Sequence, residues 1–122
     1  MRIPSLGALA AAVSLCALVA TSAAVAQEDI AVQGEILDLT CYLHKGSKGR
    51  RHRACAEMCA EKGLPIGVLT EKDEVFLLIE DHDNPGPYAA AVKLAGQDAA
   101  IKGKKYAKGG VTAIMVLEAA QP

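Results

Sequence analysis

Four residues of this sequence have the types and spacing of a soft-metal or thiol site: Cys41, His52, Cys55 and Cys59. Thiolate and imidazole are ligands of zinc, and a Cys3His set is a recognised closed structural arrangement. Thiolates suit copper(I) as well, and Met58 and His44 stand near enough in sequence to serve as reserve ligands. The pattern is C-x13-C-x3-C with a histidine three positions before the middle cysteine, which is not a standard zinc-finger spacing.

The same residues allow two other chemistries. Cys41 paired with Cys55 or Cys59 would close a loop of roughly 15–19 residues, a constraint worth about 3 kcal/mol in a chain-entropy picture. The third cysteine would then be left over. Alternatively, Cys55 near the start of a helix, beside Arg51, His52 and Arg53, would be favoured as a thiolate for redox or nucleophilic work. Cys-x3-Cys is not the usual redox spacing, and His52 is the one acid/base partner in view. The sequence therefore leans away from an enzyme. It carries no haem C-x-x-C-H, phosphate loop or serine triad.

These residues need elements to hold them. Apolar and polar residues roughly alternate from Ile30 through Val32, Ile36 and Leu39, which predicts a strand over 30–39 bent near Gly34, with Cys41 at its end. The stretch 45–51 is basic and glycine-bearing, with nothing apolar to bury, and reads as a solvated, mobile loop. Good helix formers over 51–62, with Gly63 as C-cap and Pro65 as a stop, predict a helix. On it His52, Cys55 and Cys59 fall within about 60° of arc. Ala56 and Ala60 extend that face and let the helix sit close to a sheet.

Downstream, apolar runs predict strands over 64–69 and 75–79. A helix follows over 88–94, with Asn84 as N-cap and Pro85 at the first helical position. Strands over 99–106 and 111–118 flank a turn at Lys108-Gly109-Gly110. Five strands with a helix between the third and fourth is the order of the OB-fold barrel. The expected fold is thus mainly β with two short helices, an OB-fold-like five-stranded barrel carrying an extra Cys/His helix between its first and second strands. Aromatic residues make up only 3% of the chain, so the core must be aliphatic.

Residues 1–26 have one early charge, Arg2, an apolar run from Leu6 to Ala20 and small residues ending Ala24-Val25-Ala26. This is the pattern of a secretory signal peptide cleaved before Gln27, too short for a comfortable membrane span. Cys16 would leave with it. The remaining 27–122 make one small domain, periplasmic or secreted, with no stable membrane anchor. With Arg2 removed it keeps 12 basic and 14 acidic residues. Near-neutrality argues against nucleic acid or anionic membrane as a partner. An oxidising compartment and an odd count of three mature cysteines point to ligation or pairing.

Two motifs carry a resemblance. Val32-Gln-Gly34-Glu-Ile36 and Ile101-Lys-Gly103-Lys look like the V-x-G-x-I strands of small exported bacterial OB-fold domain proteins. The Cys41…His52-x-x-Cys55-Ala-x-x-Cys59 segment, followed by Gly63-Leu-Pro65-Ile-Gly67-Val-Leu69, is similar to one group among them. The resemblance implies a barrel fold and an export route, and no activity. The Cys-x3-Cys plus His set also looks like the copper site of exported copper chaperones for terminal oxidases, although those have a thioredoxin-like fold.

The expected partner is therefore a metal ion, zinc or copper(I), held by Cys41, His52, Cys55 and Cys59, with a partner protein as a further possibility. Asp81-His82-Asp83 reads as a polar turn. Lys102, Lys104, Lys105 and Lys108 form a basic hairpin that lacks the stacking aromatics of a nucleic-acid groove.

Overall fold

A computed structural model describes Met1 and residues 27–122. The expected signal peptide and Cys16 fall outside the described residues. In chain order the elements are β1 (Glu28–Asp38), α1 (Leu39–Lys45), a 3-10 turn (Arg50–His52), α2 (Arg53–Glu61), β2 (Ile66–Thr70), β3 (Val75–Ile79), α3 (Gly86–Lys93), β4 (Asp98–Lys108) and β5 (Val111–Ala120). The strands close a barrel in the order β1-β2-β3-β5-β4. β3 and β5 pair in parallel and every other neighbouring pair is antiparallel. The OB-like barrel with a helix inserted between β1 and β2 is thus present.

β1 explains how five strands can close. Its residues 28–35 pair with β4 and its residues 34–38 with β2. Gly34 belongs to both ladders. A Cβ there would collide with the carbonyl oxygen of Leu69, so the bend needs a residue with no side chain. Gly103 does the same for β4: it sits at the register shift after Lys102, and a Cβ would strike the Met115 carbonyl. Both glycines belong to the V-x-G-x-I-like motifs, whose spacing follows from these two close approaches.

The barrel interior is filled by Ile36, Ile66, Val68, Phe76, Leu78, Ile101, Ile114 and Val116. Ala56 and Ala60 of α2, and Ala91 and Ala95 in and after α3, complete it. Small residues at these contacts bring both helices close to the barrel. Each large aliphatic side chain removed from water contributes about 1.5–3 kcal/mol. A second cluster, Leu37, Leu39 and Leu69, lies apart from the first, with Tyr42, Val75 and Leu77 packed on it. Alternation along β1 sends Ile36 to one cluster and Leu37 to the other. Leu39 and Tyr42 seat α1 on the second.

Four expectations change in detail. β1 ends at Asp38, and the residues that follow are helical, so Cys41 is a helix residue and not the tail of a strand. Two local signals cause this: the Asp38 carboxylate caps the Cys41 N–H at 3.2 Å, and Gly46 closes the helix in the left-handed conformation. The inserted helix begins at Arg53, after the 3-10 turn that holds His52. The basic loop is tethered, because Glu35 accepts the Gly49 N–H at 2.6 Å and Cys41's carbonyl receives Ser47 N–H. Finally, α3 is capped at Pro85 with no side-chain bond, and Asn84 is held in a tight turn with Asp81. Among the described residues no helix is long and apolar enough to cross a membrane.

Candidate metal centre

The insertion folds so that two short helices bring their chemistry to the end of β1. Leu39 N–H bonds to the Pro65 carbonyl, which ties the start of α1 to the start of β2. α2 ends on Gly63 and Leu64, whose N–H groups bond to the carbonyls of Ala60 and Cys59. With both helices pinned, Asp38, Cys41, His52 and Cys55 each present one donor atom, and these four atoms all lie within 4.8 Å of one another. Cys59 lies outside that mutual set, but its thiol is a direct neighbour of Cys55 and Asp38. Cys55 of α2 thus stands beside Cys41, with His52 reaching the same place from the 3-10 turn and not from the helix face, and with Cys59 next to this set. The added member is Asp38, which spacing among cysteines and histidines did not reveal.

Asp38 governs the electrostatics. It is the buried charged residue among the described residues, 1% exposed. Its ion-pair partner among them is His52, whose Nε2 stands 3.3 Å from Oδ2. Among the described residues no lysine or arginine forms an ion pair with it. Burial pushes its carboxyl up, but hydrogen bonds from the Cys41 thiol and backbone, His52 and Cys59 more than reverse this, so it is held below the usual value. The same charge acts oppositely on the thiols. Cys41 is pushed up to about 12, chiefly by its hydrogen bond to Asp38, then by burial and the neighbouring negative groups. Cys59 is raised by burial first and then by the charge of Asp38.

A thiol held protonated by a neighbouring carboxylate is a poor nucleophile. This weighs against Cys41 as a redox or covalent centre. A divalent ion reverses the logic, because its own charge displaces the thiol protons and offsets the carboxylate. The geometry accommodates one. Nitrogen and oxygen ligands on a tetrahedral zinc, at about 2.0–2.2 Å from the metal, lie about 3.3–3.5 Å apart. The Nε2···Oδ2 hydrogen bond, 3.3 Å long, is within that spacing, so the two atoms could exchange it for a shared ion with little movement. Cys41, Cys55 and Cys59 are free thiols, so neither proposed disulfide is formed.

The remaining residues singled out from the sequence stand elsewhere. His44 is exposed in the last turn of α1, and Met58 is 50% exposed. His82 sits in a turn where Asp81 accepts the Asp83 N–H at 3.0 Å. On the basic hairpin, Lys102 pairs with Glu118 at 3.0 Å, Lys105 with Glu28 at 3.5 Å and Lys104 with Asp29. Those charges are offset in place and form no open basic groove. Comparison of the chain with protein-family models, with curated proteins and with solved structures returned no match.

Proposed function

We propose that this chain is a small exported metal-binding protein whose Cys/His cluster, extended by Asp38, holds zinc or copper(I) at the junction of β1 and the inserted helices. One observation carries the reading: a buried carboxylate that pairs with no lysine or arginine among the described residues shares a space 4.8 Å across with two thiols and an imidazole. Hydrogen bonds from Cys41, His52 and Cys59 keep this carboxylate ionised, and a buried negative charge among thiols and an imidazole is an attractive site for a cation. Cys41, His52 and Cys55 are ligands in this reading, and Cys59 is a donor beside them. The leader-like 1–26 supports export, and with Cys16 removed the odd count of three cysteines supports ligation. A disulfide-stabilised binding module without metal is the competing reading, and the free thiols favour ligation over it.

The test is the intact mass of the protein recovered from the periplasm of an expression host, under native and denaturing conditions, with metal analysis and thiol counting. One ion per chain and three free thiols after chelation are expected. Loss of two hydrogens, one free thiol and no metal would overturn the reading.

A further inference from the structure

The site holds more donors than a four-coordinate ion can use. Asp38, Cys41, His52 and Cys55 form the mutually close set, and Cys59 stands next to it. Two alternative shells are therefore available. One is mixed, with a carboxylate, an imidazole and two thiolates. The other is all sulfur, from Cys41, Cys55 and Cys59. The two suit different ions. A borderline dication accepts oxygen, nitrogen and sulfur together, whereas copper(I) is selected by soft sulfur.

We propose that Asp38 sets the metal specificity of this site, selecting a divalent ion of the zinc type over copper(I), and that Cys59 stands outside the divalent ion's shell. This rests on the metal-binding reading above and adds to it which ion and which donors.

Charge decides first. A dication with the Asp38 carboxylate, two thiolates and a neutral imidazole leaves one net negative charge. Copper(I) on three thiolates beside the same carboxylate leaves three. The Asp38 side chain is fully buried, so its share of that excess has little water to relieve it, while the half-buried thiolates stand directly beside it.

Position decides second. Asp38 cannot turn away from a soft ion, because its Oδ1 caps α1 through the Cys41 N–H while Oδ2 faces His52. The carboxylate that starts the helix carrying Cys41 is thereby locked beside that cysteine's thiol. Met58, the thioether that would favour copper(I), is half-exposed and outside the close set.

The test compares the wild-type chain with Asp38→Asn and Cys59→Ser, each titrated with Zn2+, Co2+ and Cu+. Asparagine is also a preferred helix cap, so the first variant keeps α1 while losing the charge. Asp38→Asn should weaken Zn2+ and Co2+ by about 10–100-fold or more and strengthen Cu+ binding. Cys59→Ser should leave Zn2+ and Co2+ affinity at the wild-type level and weaken Cu+. On the wild-type chain alone, the Co2+ charge-transfer bands should have the intensity of two cobalt–thiolate bonds, a result that stands even if a variant does not fold.

Equal loss of both ions in Asp38→Asn would make Asp38 merely structural and overturn the proposal. So would loss of zinc in Cys59→Ser, or three cobalt–thiolate bonds in the wild type. In each of these cases metal binding itself survives. A wild-type chain that takes up none of the three ions would overturn both readings together.

Discussion

The barrel interior and the β1–β2 insertion are built on opposite rules. The interior is aliphatic, with Ile36, Ile66, Ile101 and Ile114 fully buried, and the strands satisfy one another's backbone groups. The insertion buries a carboxylate and three half-buried thiols, and its order rests on a cap, a carbonyl contact and one imidazole. The first region is complete by itself. The second holds a buried carboxylate whose ion-pair partner among the described residues is His52, helped by hydrogen bonds from Cys41 and Cys59. Under the proposed reading the barrel acts as the platform and a metal ion finishes the insertion.

The largest expected effect breaks the platform. Ile101 is 0% exposed on the central part of β4, packed with Ile36 and Val116 inside the barrel. Ile101→Ala should destabilise the domain by about 2–5 kcal/mol through lost transfer energy and a residual cavity. Urea unfolding followed by far-UV circular dichroism measures it. A loss well under that range would mean the barrel relaxes around the cavity, and the rigid half of the contrast would fall.

Next comes completion of the insertion by metal. At a free ion concentration about 100 times the dissociation constant, binding to the native state alone adds about 2.7 kcal/mol of stability. The gain should be local in hydrogen exchange: amides of α1, the 3-10 turn and α2 slow markedly, while those of β3, β4 and β5 keep their protection. Uniform slowing across the barrel would show that the two regions are one cooperative unit.

What was legible in the sequence follows the same division. The barrel could be read because strand alternation, Gly34, Gly103 and the two-glycine turn are local signals that all agree. Cys55 and Cys59 could be read as neighbours because helical spacing puts them on one face of α2, whereas His52 joins them from the 3-10 turn, which that spacing does not describe. Asp38 was missed because a carboxylate at a strand end has no spacing signature; its role depends on burial, which is a tertiary fact. The signal that could have found it is the cap. Asp38-Leu39-Thr40-Cys41 followed by Gly46 starts and stops a helix, yet the apolar Leu37 and Leu39 read as continued strand. Leu39 is indeed apolar for a reason of packing, but it packs outside the main core with Leu37 and Leu69.

A third outcome tests the electrostatics of the insertion without metal. Cys41 keeps its proton up to about 12 in the folded chain, against an ordinary value of 9.0. A group whose folded pKa is raised gives its stability in full below the unfolded value and loses it as pH rises toward the folded one. The metal-free protein should therefore lose stability as pH climbs from about 9 toward 12, and Cys41→Ser should flatten that limb. Asp38 acts with the opposite sign: its folded value is lowered, so its contribution fades as pH falls below the ordinary 3.8. Thermal melts from pH 8 to 11 on the chelated wild type and variant separate the alkaline limb. An unchanged limb in Cys41→Ser would show that Asp38 does not hold the Cys41 proton.

The smallest effect sharpens where the insertion's order does not come from. Arg53 and Glu57 form an i,i+4 pair on α2 at 2.8 Å, with side chains 51% and 39% exposed. At that exposure solvent screens the pair, and such contacts contribute about 0.3–0.5 kcal/mol. Arg53→Ala also removes the aliphatic stem lying against Gly96, a contact that leaves no room for a Cβ there. Its urea midpoint should fall only slightly, and its metal affinity should stay at the wild-type level, because Arg53 faces away from Asp38, Cys41 and Cys55. Raising the salt concentration should erase most of the charge-pair part of the loss and none of the packing part. A large loss of metal affinity in Arg53→Ala would mean that the position of α2, and with it of Cys55, is set by its outer face and not by the alanines buried against the barrel.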